Sequence, residues 1–134
     1  MPAYNAEKTI ARTIESILHQ TDDRYKLILI NDGSTDGPDG ICRDYAAART
    51  DKISYIFQEN RGLGGARNHG MQLADTPYVS FLDSDDWLMP QFVERILWHL
   101  EHCADPDIEM ILTLPVIFHE GSGAVGDWYD KTLF

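Results

Sequence analysis

The sequence predicts an α/β fold, a mostly parallel central sheet flanked by helices, and three observations carry that prediction. Apolar residues alternate along the chain between helical spacing and short continuous runs. The run Tyr25 to Asn31 (YKLILIN) is almost unbroken, the pattern of a strand covered on both faces. Polar clusters follow the apolar runs, so they fall at strand carboxyl ends, the edge where open parallel sheets bind ligands.

Each element has its own warrant. Met1 to Tyr4 is a short first strand. Asn5 is placed to cap a helix with the apolar stripe Ile10, Ile14, Ile17 and Leu18, and Glu7 favours its first turn. After the strand Tyr25 to Asn31, the loop Asp32-Gly33-Ser34-Thr35-Asp36-Gly37 leads to a helix marked by Ile41, Tyr45 and Ala48. Ile53 to Gln58 reads as the third strand. Gly62 to Gly65 leads into a short helix from about Ala66 to Ala74, and Tyr78 to Leu82 is expected as a fourth strand. Pro90 suits the first turn of a helix that turns Val93, Ile96, Leu97 and Leu100 inward. Then the rhythm changes. Ile108 to Leu114 and Val116 to Phe118 read as β structure broken by Pro115, and a Gly121-Ser122-Gly123 turn joins them to Ala124 to Tyr129 in an antiparallel hairpin. Both ends read as incomplete, because few residues precede Asn5 for a full strand and the sequence stops soon after Tyr129.

Composition bounds the function. The 134 residues suit one domain with a real core, and 43% hydrophobic with 25% charged residues is ordinary for a globular protein. A formal charge of -11 argues against nucleic acid or an anionic membrane surface as the main partner. With no apolar run long enough to span a bilayer and no signal-peptide pattern, the expected location is the cytoplasm, including the cytoplasmic face of the membrane. Cys42 and Cys103 lack metal-ligand spacing and read as small buried residues. His99 and His102 read as a solvated helix face.

The chemistry concentrates in Phe81-Leu82-Asp83-Ser84-Asp85-Asp86-Trp87, where an apolar run meets three carboxylates within four residues. Charges that close repel unless a cation or solvent offsets them. Mg²⁺ typically takes one or two carboxylates plus substrate phosphates, so this turn can seat a metal-bridged diphosphate or be a solvated cap. Tyr4 and Asn5 end the first strand and Asp32 the second, gathering distant residues on the same edge. Tyr4 has a face for a nucleobase or belongs to the core. Asp32 can accept from a base N–H or a ribose hydroxyl, or form a local turn with Ser34. Arg67 can reach a phosphate oxygen or pair with a surface carboxylate. Asp85 is the candidate ligand for Mg²⁺ or Mn²⁺, with Asp83 on ribose or a metal-bound water. The Gly62-Leu63-Gly64-Gly65 run is a weak phosphate loop, lacking the Walker Lys-Ser/Thr and the dinucleotide spacing.

Four motifs then occur in order: Pro2-Ala3-Tyr4-Asn5-Ala6-Glu7, Asn31-Asp32-Gly33-Ser34-Thr35-Asp36, Glu59-Asn60-Arg61-Gly62-Leu63-Gly64-Gly65-Ala66-Arg67-Asn68, and Phe81-Leu82-Asp83-Ser84-Asp85-Asp86-Trp87-Leu88. In this order and spacing the chain resembles glycosyltransferase family 2, over roughly Met1 to Leu100. The resemblance implies the Rossmann-like GT-A fold, with 1–103 as the donor-binding α/β part and 104–134 as the start of an acceptor-side β region. It implies that Asp85 coordinates Mn²⁺ or Mg²⁺ and that Asp32 contacts the base. Tyr4 packs on that base. Asn5, Asp83 and Ser84 join the nucleotide-sugar site, and Arg67 stands near the diphosphate. It further implies inverting transfer from a nucleoside-diphosphate sugar, with UDP the commoner nucleotide, to a glycan or lipid-linked hydroxyl. No catalytic base is assigned, since Glu120, Asp127 and Asp130 lack the family's setting for one. The rival expectation is a non-catalytic nucleotide-binding remnant. A receiver-like regulatory domain fits poorly, because no lysine sits at a late strand end. The exposed sheet edge of such a fold favours association into a homo-oligomer.

Overall fold

In the computed structural model, which describes residues 1–102, 116–119 and 124–127, strand β1 (Pro2–Ala3) is followed by helix α1 (Ile10–Leu18) and strand β2 (Leu27–Asp32). Helix α2 (Pro38–Ala48), strand β3 (Ile53–Gln58) and helices α3 (Gly62–Leu73) and α4 (Phe92–His102) come next, then strands β4 (Val116–His119) and β5 (Ala124–Asp127). The residues fall into two compact units, Met1–His99 and Leu100–Phe134. In the first, a parallel sheet runs in the order β1-β2-β3, with β2 paired to β3 from Leu27↔Ile53 to Asp32↔Gln58. In the second, β4 and β5 pair antiparallel from Val116↔Asp127 to His119↔Ala124, the hairpin that the alternating tail predicts.

β2 explains the layering. Adjacent residues on a strand face opposite sides, and Leu29 and Ile30 are both essentially inaccessible, so both faces of the sheet are covered. Leu29 joins Ile10, Ile14 and Ile17 of α1 and Cys42 of α2 in one core cluster. Ile30 lies beneath α3, where a methyl group added at Gly70 would stand 3.8 Å from its Cγ1. Burial pushes the Cys42 thiol up to about 11, as expected of a small apolar core residue.

Four expectations need correction. Asn5 does not cap α1: the cap position is Thr9, and Asn5 lies before it with φ 50. α3 begins at Gly62, four residues before the expected start, so the glycine run forms the first helical turn and not a phosphate loop. Gly65 is needed there for space, since a Cβ would stand 2.6 Å from the Arg61 Cβ. Tyr78 to Leu82 is not a strand. β1 offers an edge neighbour only two residues to pair with, and Tyr78, Val79 and Phe81 are 52%, 47% and 45% exposed, leaving Leu82 to pack against the core cluster. On α4, Val93, Ile96, Leu97 and Leu100 do share one face, but only half-buried, and Pro90 stands in the turn before the helix. Cys103, Ile108 to Pro115, Glu120, Gly121-Ser122-Gly123, Tyr129 and Asp130 lie outside the described residues. Among the described residues, no helix is long and apolar enough to cross a membrane.

Candidate active site

The register of the sheet assembles the first part of the site. β1 pairs with β2 through Ala3↔Asn31, the last pair before the chain bends at Tyr4, and Asp32, the next residue of β2, faces Gln58 on β3. Tyr4, Asp32 and Gln58 thus all fall at the carboxyl ends of their strands. Tyr4 turns outward and is 52% exposed, which removes the core reading of its side chain. Asp32 is 2% exposed, and its Oδ1 accepts from Gln58 Nε2 at 2.6 Å and from the Arg61 backbone N–H at 2.8 Å. These charge-assisted bonds offset the cost of burying a carboxylate. Among the described residues Oδ2 accepts no hydrogen bond, and Ser34 N–H is held by Asn31 Oδ1, not by Asp32. Behind Gln58, His69 Nδ1 stands 2.6 Å from Gln58 Oε1.

Two loops close over this edge. Asn5 adopts a left-handed backbone that asparagine tolerates. Its N–H donates to Ser34 Oγ at 3.1 Å, and its Oδ1 accepts from the Thr35 N–H at 2.9 Å. Glu7 N–H donates to Asp36 Oδ2 at 3.1 Å while Glu7 Oε2 accepts from Gly37 N–H at 3.4 Å. A Cβ at Gly37 would meet the movable carboxylate end of Glu7 at 2.7 Å. Between the two loops and the acidic turn opens a cleft of about 550 Å³ lined by Tyr4, Asn5, Glu7, Lys8, Asp36, Ser84 and Asp85.

The acidic turn is held from two sides. Asp86 N–H donates to Asp83 O at 3.2 Å, which closes the turn. Arg67, on α3, donates from Nη2 to Asp83 Oδ1 at 2.7 Å, and its guanidinium carbon lies 5.7 Å from the Phe81 ring centroid. Arg67 Nε is buried and lacks a hydrogen-bond partner among the described residues. From the other side, polar residues spaced three and four apart on and just after α1 grip the backbone. Thr13 Oγ1 donates to Ser84 O at 2.9 Å, Ser16 Oγ accepts from Leu88 N–H at 3.1 Å, and Gln20 Nε2 donates to Met89 O at 2.9 Å. The Arg12 guanidinium also lies over the Trp87 ring, 4.0 Å from its centroid. Burial first, then the neighbouring charges of Asp85 and Asp83, raise the Asp86 carboxyl above its ordinary range.

Tyr4, Asn5, Ser84 and Asp85 thus share one cleft; Asp32 does not line it, and follows Asn31, the β2 partner of the residue before Tyr4. Arg67 is spent on Asp83 and does not line the cleft. Among the described residues, no three His, Cys, Asp or Glu side chains are arranged to hold a metal by themselves. Asp85 is exposed, has no cationic partner among the described residues, and fits a cation that completes its shell with phosphate oxygens and water. Sequence reasoning missed Gln58, His69 and the cleft residues Glu7, Lys8 and Asp36. Asp36 closes the second motif and had a local signal; the Gln58–His69 bond joins a strand end to a helix face and had none.

A parallel sheet with helices on both faces defines an α/β protein of the open-sheet class. The family described as glycosyl transferase family 2 matches residues 1–108, and the chain belongs to that family. Among curated relatives, it is 40% identical over 96 residues to glycosyltransferase GlyA of Streptococcus pneumoniae, covering 72% of this chain and 14% of GlyA. It is 38% identical over 124 residues to minor teichoic acid biosynthesis protein GgaB of Bacillus subtilis, covering 90% of this chain and 13% of GgaB. With chondroitin synthase of Escherichia coli it shares 39% identity over 97 residues, covering 72% and 14%. The chain therefore spans about a seventh of each of these relatives. A crystal structure of S. aureus TarS residues 1–349 in complex with UDP superposes with a TM-score of 0.68 at 26% identity, covering 75% of this chain and 30% of TarS. The fold is the GT-A type that the motifs imply.

Proposed function

We propose that residues 1–103 form the donor-binding part of an inverting glycosyltransferase. In this reading it transfers a sugar from a nucleoside-diphosphate donor, with UDP as the nucleotide, to a hydroxyl of a glycan or lipid-linked acceptor in polysaccharide assembly. The observation that carries this reading is the cleft shared by Tyr4, Asn5, Ser84 and Asp85, with Asp32 at the end of the strand that pairs with β1. The UDP complex of TarS supports uridine as the nucleoside, and GgaB and chondroitin synthase support a polymer as the product.

In this reading the Tyr4 ring stacks on the base and Asp32 Oδ2 accepts its N–H. Asp83 reaches the ribose, Asn5 and Ser84 line the nucleotide-sugar site, and Asp85 would hold Mn²⁺ or Mg²⁺ against the diphosphate. That cation, when bound, neutralises charge on the departing nucleoside diphosphate. The acceptor hydroxyl attacks the anomeric carbon as the bond to the diphosphate oxygen breaks, and its proton passes to a base outside the described residues. Arg67 is the basic group this reading assigns to the diphosphate, and it would first have to release Asp83. The cytoplasm, where nucleotide sugars are made, is the matching location.

Calorimetric titration of UDP with and without Mn²⁺ tests the reading. The wild type should bind more tightly with Mn²⁺, and Asp85→Asn should lose that gain while keeping its metal-free affinity. Absence of any metal-dependent binding in the wild type would refute the site.

A further inference from the structure

Asp32 is a buried carboxylate on the carboxyl edge, and its hydrogen bonding is one-sided. Gln58 Nε2 and the Arg61 N–H both donate to Oδ1, at 2.6 Å and 2.8 Å. A carboxylate oxygen accepts, so the Gln58 amide must present its nitrogen to Asp32 and its oxygen to His69. His69 Nδ1, 2.6 Å from that oxygen, must then carry a proton, which assigns the tautomer from the network. The His69 N–H in turn keeps the Gln58 amide from rotating. Gln58 is buried and His69 half-buried, so water does not readily replace either partner.

We infer that Gln58 and His69 are positioning residues that fix Asp32 as a one-sided acceptor, selecting a pyrimidine with a ring N–H at N3 over one with a bare ring nitrogen there. The inference rests on the reading above, in which a nucleoside diphosphate stacks on Tyr4 with its base toward Asp32. Uracil donates its N3–H to Oδ2. Cytosine would set a lone pair against the same oxygen and leave both unpaired.

A sharper consequence follows for Asp32→Asn. The two clamp donors require the carbonyl oxygen of the new amide at the Oδ1 position, so its NH₂ must turn toward the base. The acceptor becomes a donor and the preference inverts toward cytosine. Without His69 the Gln58 amide can flip and offer its oxygen, so only the Arg61 N–H still favours that orientation and the inversion weakens.

The experiment titrates UDP and CDP into the wild type, Asp32→Asn and the double variant Asp32→Asn/His69→Ala. The wild type should favour UDP by about 10-fold or more and Asp32→Asn should favour CDP by a similar factor. The double variant should shrink the preference for CDP by about 3-fold or more, as expected when one neutral hydrogen bond no longer sets the orientation and the Arg61 N–H acts alone. Equal weakening of both nucleotides in Asp32→Asn, or full inversion surviving in the double variant, would overturn the inference. A wild type that binds UDP and CDP alike would overturn the selectivity while leaving the nucleotide reading standing. A wild type that binds neither would overturn the reading itself and the selectivity with it. The ¹⁵N shifts of His69 read the clamp without ligand: a proton on Nδ1 supports it, and a neutral ring protonated only on Nε2 removes it.

Discussion

The two halves of the candidate site are built by different means. Asp32 sits at the end of a buried central strand, and its partners come from the next strand and the turn after it. Asp85 sits in a segment with no regular secondary structure, 78–91, fastened by side chains of α1 and by Arg67. The first arrangement presents a group whose orientation is set before any ligand arrives, which is what recognition of a flat base requires. The second leaves the Asp85 carboxylate in water, free to exchange solvent for a cation and phosphate oxygens. A rigid half suits identity and an adaptable half suits charge.

Loosening the acidic turn without touching its carboxylates is the largest test of that contrast. Thr13→Val keeps the shape of a buried side chain and removes the hydroxyl that donates to Ser84 O. It should lower the Mn²⁺-dependent gain in UDP affinity by about 10-fold, with metal-free affinity unchanged and a stability loss of about 1–3 kcal/mol for the unsatisfied carbonyl. Thr13→Ser should restore the gain. Calorimetry beside thermal melts reads both effects. If metal-free affinity falls in step with the metal-dependent part, the two halves are not separable.

A smaller effect is expected at Asp86. Its carboxyl is raised by burial and by Asp85 and Asp83, so the folded state disfavours its charge. The penalty exists above the raised folded-state range and disappears as falling pH protonates the group. Asp86→Asn should therefore stabilise the metal-free protein at neutral pH by a few tenths of a kcal/mol, since most of the interaction is screened by solvent. The gain should vanish in acid. Urea denaturation of both proteins at neutral and acid pH measures it, and a variant less stable at neutral pH would show that Asp86 makes a favourable contact.

The contrast also marks what the sequence disclosed. Ile10, Ile14 and Ile17 repeat at helical spacing, and the run ending in Asn31-Asp32 is apolar enough to be a strand buried on both faces, so α1 and β2 were legible locally. Asp83-Ser84-Asp85 was legible because its charge density is conspicuous. The missing strand at Tyr78 to Leu82 depends on the length of β1, a pairing property that periodicity cannot carry. The early start of α3 depends on Gly65 clearing Arg61, which only the folded chain displays. Asn5 had the chemistry of a cap, yet its oxygen is taken by Thr35, thirty residues away in sequence. The Gln58–His69 bond was equally invisible, because neither residue carries a motif.

Whether Asp32 and Asp85 serve one ligand is tested most directly by following their backbone amides in a ¹⁵N-labelled protein titrated with UDP in saturating Mg²⁺. Shifts at Tyr4, Asp32 and Asp85 should rise together along a single binding curve. Two curves with different midpoints, or a response confined to one of the carboxylates, would contradict a single shared site.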